Sequence, residues 1–151
     1  PPLRPANRRR LAGLQRLSIT AGAVTFEGVF EADDAPETCA WFGRNLPFVS
    51  KVIHARWSGE AVWVPLGDLV SGLSHENHTA HPSRGDILFY PGGISETEIL
   101  IVYGSASFAS KMGGLAGNHF ITITEGREQL PEFGEHVLWH GAQDITFASI
   151  P

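Results

Sequence analysis

The sequence predicts a mainly β domain with a barrel-like strand count, and three observations carry that prediction. Charged residues are thinned to 18% of the 151 positions, below the usual quarter, which disfavours a solvated helical bundle. Short apolar runs, several of them alternating, recur between Gly, Pro and Ser breaks. About eight such runs are interrupted by only two segments of helical periodicity. Closing the sheet would remove the bare edges that strands this short and apolar otherwise expose. A chain of this length buries roughly 68–70% of its unfolded surface, enough for one real core.

Taken in order, residues 1–13 (PPLRPANRRRLAG) form a basic arm and residues 14–151 one domain. Arg4, Arg8, Arg9, Arg10 and Arg16 fall in the first sixteen positions, which hold no acid; the remainder carries 6 Lys and Arg against 16 Asp and Glu, a formal −10. The arm has early prolines and no aromatics, which reads as a solvated or intersubunit segment and argues against a nucleic-acid contact. It lacks the apolar core of a signal peptide, and no apolar run approaches the roughly 18 residues of a membrane span. One cysteine, Cys39, excludes an internal disulfide framework and a cysteine-only metal cage. The expected partners are therefore a small molecule and a second copy of the chain, without nucleic acid or membrane. The expected compartment is the cytoplasm.

LSIT and AVTFEGVFE read as a hairpin across Ala21-Gly22, with Val24, Phe26, Gly28 and Phe30 on one face. A helix then begins with Asp34 as N-cap, Glu37 completing an acidic capping box and Pro36 in the first turn. Its apolar face is Cys39, Phe42 and Leu46, and Pro47 ends it; Cys39 on that stripe reads as a core residue. KVIHARW predicts a strand with Ile53, Ala55 and Trp57 on one face and Val52, His54 and Arg56 on the other. Ser58-Gly59 turns it into EAVWVPL. A polar stretch from Gly67 to Arg84 precedes the strands DILFYP and EILIVYG. SFASKMGGLAG is a small-residue loop, and NHFITIT a strand with Phe120, Ile121 and Ile123 towards the core. Arg127 to Trp139 predicts a second helix with Leu130, Phe133, Val137 and Leu138 inward. DITFASI closes the domain.

This order of elements, together with APETCAWF, VIHARWSGEAVWVPLG, ENHTAHPSRGDILFYPGGISETEILIVYG and GNHF, resembles a family of uncharacterised bacterial cyclophilin-like proteins. The matching segments cover most of residues 17 to 124. The resemblance implies a closed, mostly antiparallel β-barrel capped by helices, and brings no established activity. Cyclophilins with peptidyl-prolyl isomerase activity carry an arginine followed by a Phe-x-Met-Gln-Gly-Gly-Asp run. Here Arg56 echoes the arginine but no such run follows, which disfavours isomerisation. Related barrels also occur in enzymes that hydrolyse ureas and cyclic amides, an analogy at the level of fold alone.

Four clusters could carry chemistry. His54, Arg56, Trp57, Glu60 and Trp63 lie within ten residues, so a guanidinium could grip a carboxylate or imide oxygen beside a flat apolar wall. The alternative is that Arg56 pairs with Glu60 or Glu76 while the tryptophans pack. His75, Glu76, His78 and His81 could supply a metal site through two of the histidines but fit no helical metal signature and lie in a polar loop, so no metal or cofactor is expected; Glu76 and Asn77 are placed at the barrel mouth. Tyr90, Glu96 and Glu98 surround the Gly92-Gly93 turn. Glu96 and Glu98 share a strand face if the strand begins that early, and paired carboxylates there can split their pKa values. His119 is a candidate base if its ring meets Arg56 or Glu60. The resulting expectation is a small-molecule-binding protein acting on a polar or anionic, amide- or imide-like metabolite. Arg56, His54, Trp57, Trp63, Asn77, Tyr90 and Glu96 would bind it, and His119, Glu60 or Glu76 would move protons. A non-catalytic binding or assembly module is the competing class.

Overall fold

The structure, a computed structural model, describes residues 16–151, so the basic arm lies outside the described residues. Its strands are β1 (Arg16–Ala21), β2 (Val24–Phe30), β3 (Phe48–His54), β4 (Gly59–Gly67), β5 (His78–Thr79), β6 (Asp86–Tyr90), β7 (Thr97–Ala106), β8 (Ala109–Ser110), β9 (Gly113–Gly114), β10 (Gly117–Glu125) and β11 (Gln143–Ser149). Helix α1 spans Pro36–Arg44; a short 3-10 turn, Arg127–Gln129, leads into α2, Leu130–His140. The ring runs β2-β1-β11-β3-β4-β7-β6-β10 and closes where β10 pairs with β2. All of its pairings are antiparallel. The barrel thus has eight strands and two helices, as the apolar runs predicted. Among the described residues no helix is long and apolar enough to cross a membrane.

The interior is aromatic. Phe42 of α1, fully buried, meets the rings of Phe30, Phe48, Phe120 and Phe147 at 5.2–6.3 Å. Burying one such ring contributes roughly 1.5–3 kcal/mol, and the edge-on pairs add to it. The helix therefore plugs the barrel through the face that Cys39 and Phe42 were expected to form.

A second, smaller core lies on the opposite side of the wall. On β4 the side chains of Val62 and Val64 point inward, while Ala61 and Trp63 join the outer cluster. On β7 and β6, Leu100, Val102, Leu88 and Tyr90 do the same. Phe108 and Leu115, from the loop expected to be merely small-residue, cover this outer face with the β8–β9 hairpin between them. These strands are apolar on both faces because both faces are covered.

Three local expectations are corrected. The α1 N-cap is Ala35, with no side-chain bond of its own, and not Asp34. The chain turns there, with the Asp34 and Ala35 amides both bonded to the Glu31 carbonyl, and the capping oxygen arrives from elsewhere. Glu76 accepts from the Thr38 amide (2.6 Å) and from the Thr38 hydroxyl (2.7 Å), a carboxylate at the positive end of the helix. Strand β3 ends at His54, and Ala55, Arg56 and Trp57 belong to the connection, held where the Ala55 amide bonds the Ala61 carbonyl (3.0 Å). The inward face of α2 is Leu130, Phe133, Gly134 and Val137; Leu138, one residue on, rotates out and is exposed. Adjacent Phe120 and Ile121 are both buried because the β10–β6 register shifts between His119 and Ile121.

Candidate functional site

The outer face of β4 and β7 also holds a cavity of about 310 Å³. Strand pairing sets Trp63 opposite Leu100 and Pro65 opposite Glu98, so Trp63 and Glu98 share the outward face. The Ala55–Ser58 connection forms one wall and Ala109–Lys111 another, with Ser95 and Glu96 at the side. The site therefore opens on the barrel's outer wall and not at the mouth. Ser58 ties the two walls together: its hydroxyl donates to the Ala109 carbonyl and accepts from the Ala109 amide, both at 3.1 Å.

Glu98 dominates the electrostatics. It is 6% exposed, and no described residue hydrogen-bonds its carboxyl. Burial, reinforced by the neighbouring Glu96 charge, pushes its pKa from 4.5 up to about 8, so the acid is protonated at neutral pH. Glu96 lies just before β7, so the shared strand face expected for the two acids is not formed, and burial is the larger cause of the Glu98 shift. Glu96 itself is exposed and accepts from the Gly67 amide (3.1 Å). Arg56 and Lys111 also line the cavity, both exposed. Neither makes an ion pair with a described residue, so the anticipated Arg56 pairing with Glu60 or Glu76 is not made. Trp57 is 58% exposed at the rim, and Trp63 is half-buried.

His54 lines the same cavity but has its ring nitrogens committed. Nδ1 lies 2.7 Å from the Ala55 carbonyl and Nε2 2.7 Å from the Tyr103 hydroxyl. A carbonyl only accepts, so in the neutral ring Nδ1 donates and Nε2 accepts from Tyr103. Burial, with Glu60 and Glu135 nearby, raises the Tyr103 pKa, which keeps that hydroxyl a donor. Behind Tyr103 sits Gly134 of α2, where an added Cβ would collide with the phenol ring.

The remaining candidates lie outside the cavity. Glu60 accepts from the Ser105 amide (2.9 Å). Glu76 caps α1, and its amide donates to Asn118 Oδ1 (3.1 Å). Asn77 takes a left-handed φ of 47° and donates through Nδ2 to the His119 carbonyl (2.9 Å). The Tyr90 hydroxyl accepts from the Ile94 and Ser95 amides (3.0 and 3.3 Å), pinning the loop that carries Ser95. His119 meets neither Arg56 nor Glu60. Its Nε2 donates to Thr122 Oγ1 (2.8 Å), that hydroxyl donates to Glu31 (2.6 Å), and Asp86 stands 3.4 Å away. Cys39 is buried, its thiol donating to the Phe120 carbonyl (3.3 Å), and burial pushes its pKa up to about 12. His75 and His78 lie with ring centroids 4.9 Å apart. Among the described residues no three His, Cys, Asp or Glu side chains converge on a metal position. Lys111, in a glycine-rich loop, carried no sequence signal.

The sequence profile of DUF3830, described as a protein of unknown function, matches residues 17–149. No curated protein matches the chain. Among solved structures, the chain is similar to McbB in complex with tryptophan, with a TM-score of 0.66 and 14% identity over 87% of this chain. It spans 44% of the McbB chain. It is also similar to the hypothetical protein AF2241 from Archaeoglobus fulgidus (TM-score 0.60, 16% identity, 91% of this chain and 95% of that one). A cyclophilin-type peptidyl-prolyl cis-trans isomerase of Cryptosporidium parvum aligns with a TM-score of 0.52 and 15% identity, over 91% of this chain and 99% of that one. At these identities the similarities establish the cyclophilin-like fold.

Proposed function

Since the chain belongs to the DUF3830 family of proteins of unknown function, membership brings no activity, and we propose from the site itself that it binds a small metabolite. The ligand would pair a carboxylate with a planar amide- or imide-like group and sit in the outer-wall cavity. The observation that carries this reading is Glu98, a buried residue whose carboxyl has no hydrogen-bond partner among the described residues, in the same cavity as Arg56 and Lys111, which make no ion pair with a described residue. A protonated acid there is a donor for a carbonyl oxygen, while the two cations suit an anion and Trp57 and Trp63 a flat ring. The volume falls at the lower end for ligand pockets, which sets the size class. McbB, whose structure holds tryptophan, supports a ligand of this amphoteric, planar kind.

If the protein is an enzyme, Arg56 orients the substrate and Glu98 takes the proton-carrying role that was expected of His119, Glu60 or Glu76. A perturbed acid in a cleft is the usual mark of such a group. A non-catalytic binding module is the second reading, favoured by His54, whose ring nitrogens are already bonded and offer no free imidazole base beside Glu98.

A thermal-shift and calorimetric screen of small carboxylates, ureas and cyclic imides tests this reading, with a proline test peptide alongside. A ligand at 100 times its dissociation constant stabilises the native state by about 2.7 kcal/mol. The shift should vanish in Arg56→Ala and weaken in Glu98→Gln. A shift that survives both substitutions overturns the assignment of the cavity. Recovery of the bound compound unchanged after long incubation would favour the binding module over the enzyme.

A further inference from the structure

We propose that His136 and His140 form a two-imidazole site for a borderline divalent transition ion, such as Cu²⁺, Ni²⁺ or Zn²⁺, on the outer face of α2. The two histidines are four residues apart in the helix, so their side chains rise from the same face one turn apart. Their ring centroids lie 4.5 Å apart with planes tilted by 31°, close enough that rotation about the exposed side-chain bonds would bring one nitrogen from each to a common ion. Both residues are exposed, so chelation buries nothing and costs no repacking.

Position and charge add to the spacing. His140 is the last residue of α2, where the free carbonyls carry partial negative charge and favour a cation. Glu132 and Glu135 are exposed on the same helix and deepen the negative field. Imidazole suits this group of metals and not Ca²⁺ or Mg²⁺, which want oxygen ligands. The absence of a third converging ligand among the described residues leaves the remaining coordination positions to water and makes the site a reversible one, unlike a closed structural zinc centre. His75 and His78 make the natural comparison. Their rings are farther apart (4.9 Å) and more steeply tilted (48°), in a segment without a helical repeat to hold them in register.

The test is calorimetric titration of the tag-free full chain with NiCl₂ and CuCl₂. One ion per chain is expected, with binding weakened at least ~10-fold in His136→Gln and in His140→Gln, and unchanged in a His75→Gln, His78→Gln double variant. Binding that survives either α2 substitution overturns the proposal, as does binding lost in the double variant. So does absence of binding to the unaltered chain at ~1 mM metal, a threshold near −4 kcal/mol. Should an α2 variant fail to fold, the electron paramagnetic resonance spectrum of Cu²⁺ on the unaltered chain decides. Two coordinated nitrogens support the site, and an all-oxygen shell overturns it.

Discussion

Replacing Glu98 by glutamine preserves the size of the side chain and removes its ionisation, so it isolates what a buried acid costs. In the unfolded chain the carboxyl loses its proton above pH 4.5; in the folded chain it keeps it up to about 8. Across that window the native state binds the extra proton, so the contribution of Glu98 to stability is fully present below pH 4.5, falls as pH rises and is lost above about 8. Each pKa unit corresponds to about 1.4 kcal/mol, which sets a ceiling of about 5 kcal/mol for the whole window. Water entering the open side of the cavity relaxes the ionised form and lowers this value, so a difference of at least ~2 kcal/mol is expected between pH 5 and pH 8.5. Urea unfolding of both proteins at the two pH values measures it. Glu98→Gln should match the parent within ~1 kcal/mol at pH 5 and exceed it at pH 8.5. Taking the difference between the two proteins cancels the other titrating groups. If the parent and the variant lose stability in parallel as pH rises, Glu98 is not a protonated acid, and the chemistry proposed for the cavity goes with it.

Other consequences follow from the same contacts. Glu76→Gln weakens the cap on α1 and should cost about 1–2 kcal/mol in chemical denaturation, with the melting temperature falling accordingly; an unchanged melting curve would deny Glu76 that role. Gly134→Ala drives a methyl group into the Tyr103 ring and should destabilise by about 2–3 kcal/mol, because a packed aromatic cannot retreat without opening the α2 contact; loss of the near-ultraviolet signal of Tyr103 would accompany it. Cys39, its thiol pushed up to about 12, should resist alkylation at pH 8 in the folded protein and react promptly in urea; rapid labelling without denaturant would contradict its burial. Above pH 8, ionisation of Glu98 removes the proposed donor, so affinity for a ligand whose carbonyl it holds should decline there, as titration calorimetry would report.

Much of the architecture was legible in the residues. Alternation in VTFEGVF, the apolar runs of DILFY and TEILIVYG, and the turns at Gly22 and Gly59 depend on local sterics and on which side chains leave water. Those are set by neighbours in the chain. The helix stripe of Cys39 and Phe42 was readable for the same reason. The capping of α1 was not, since Ala35 offers no oxygen and the carboxylate that does is 38 residues downstream of Thr38. The course of β3 past His54 also escaped, because the bend at Ala55 follows from how β4 pairs back onto it.

The site divides along the same line. Arg56, Trp57 and Trp63 could be picked out as a group because a tight turn keeps them close whatever the rest of the chain does. Glu96 and Glu98 could be paired because they are two residues apart, although β7 begins only at Thr97, between them. That Glu98 is the acid that keeps its proton and that Lys111 joins Arg56 depend on the packing of the outer wall, and that His119 turns to Thr122 and Asp86 depends on the pairing of β10 with β6. Desolvation and convergence are properties of the closed barrel, since a side chain's water is removed by residues far from it in sequence. The sequence by itself determined the strands, the helices and the residue types able to do chemistry. Only the tertiary structure decided which of them share one cavity on the barrel's outer wall.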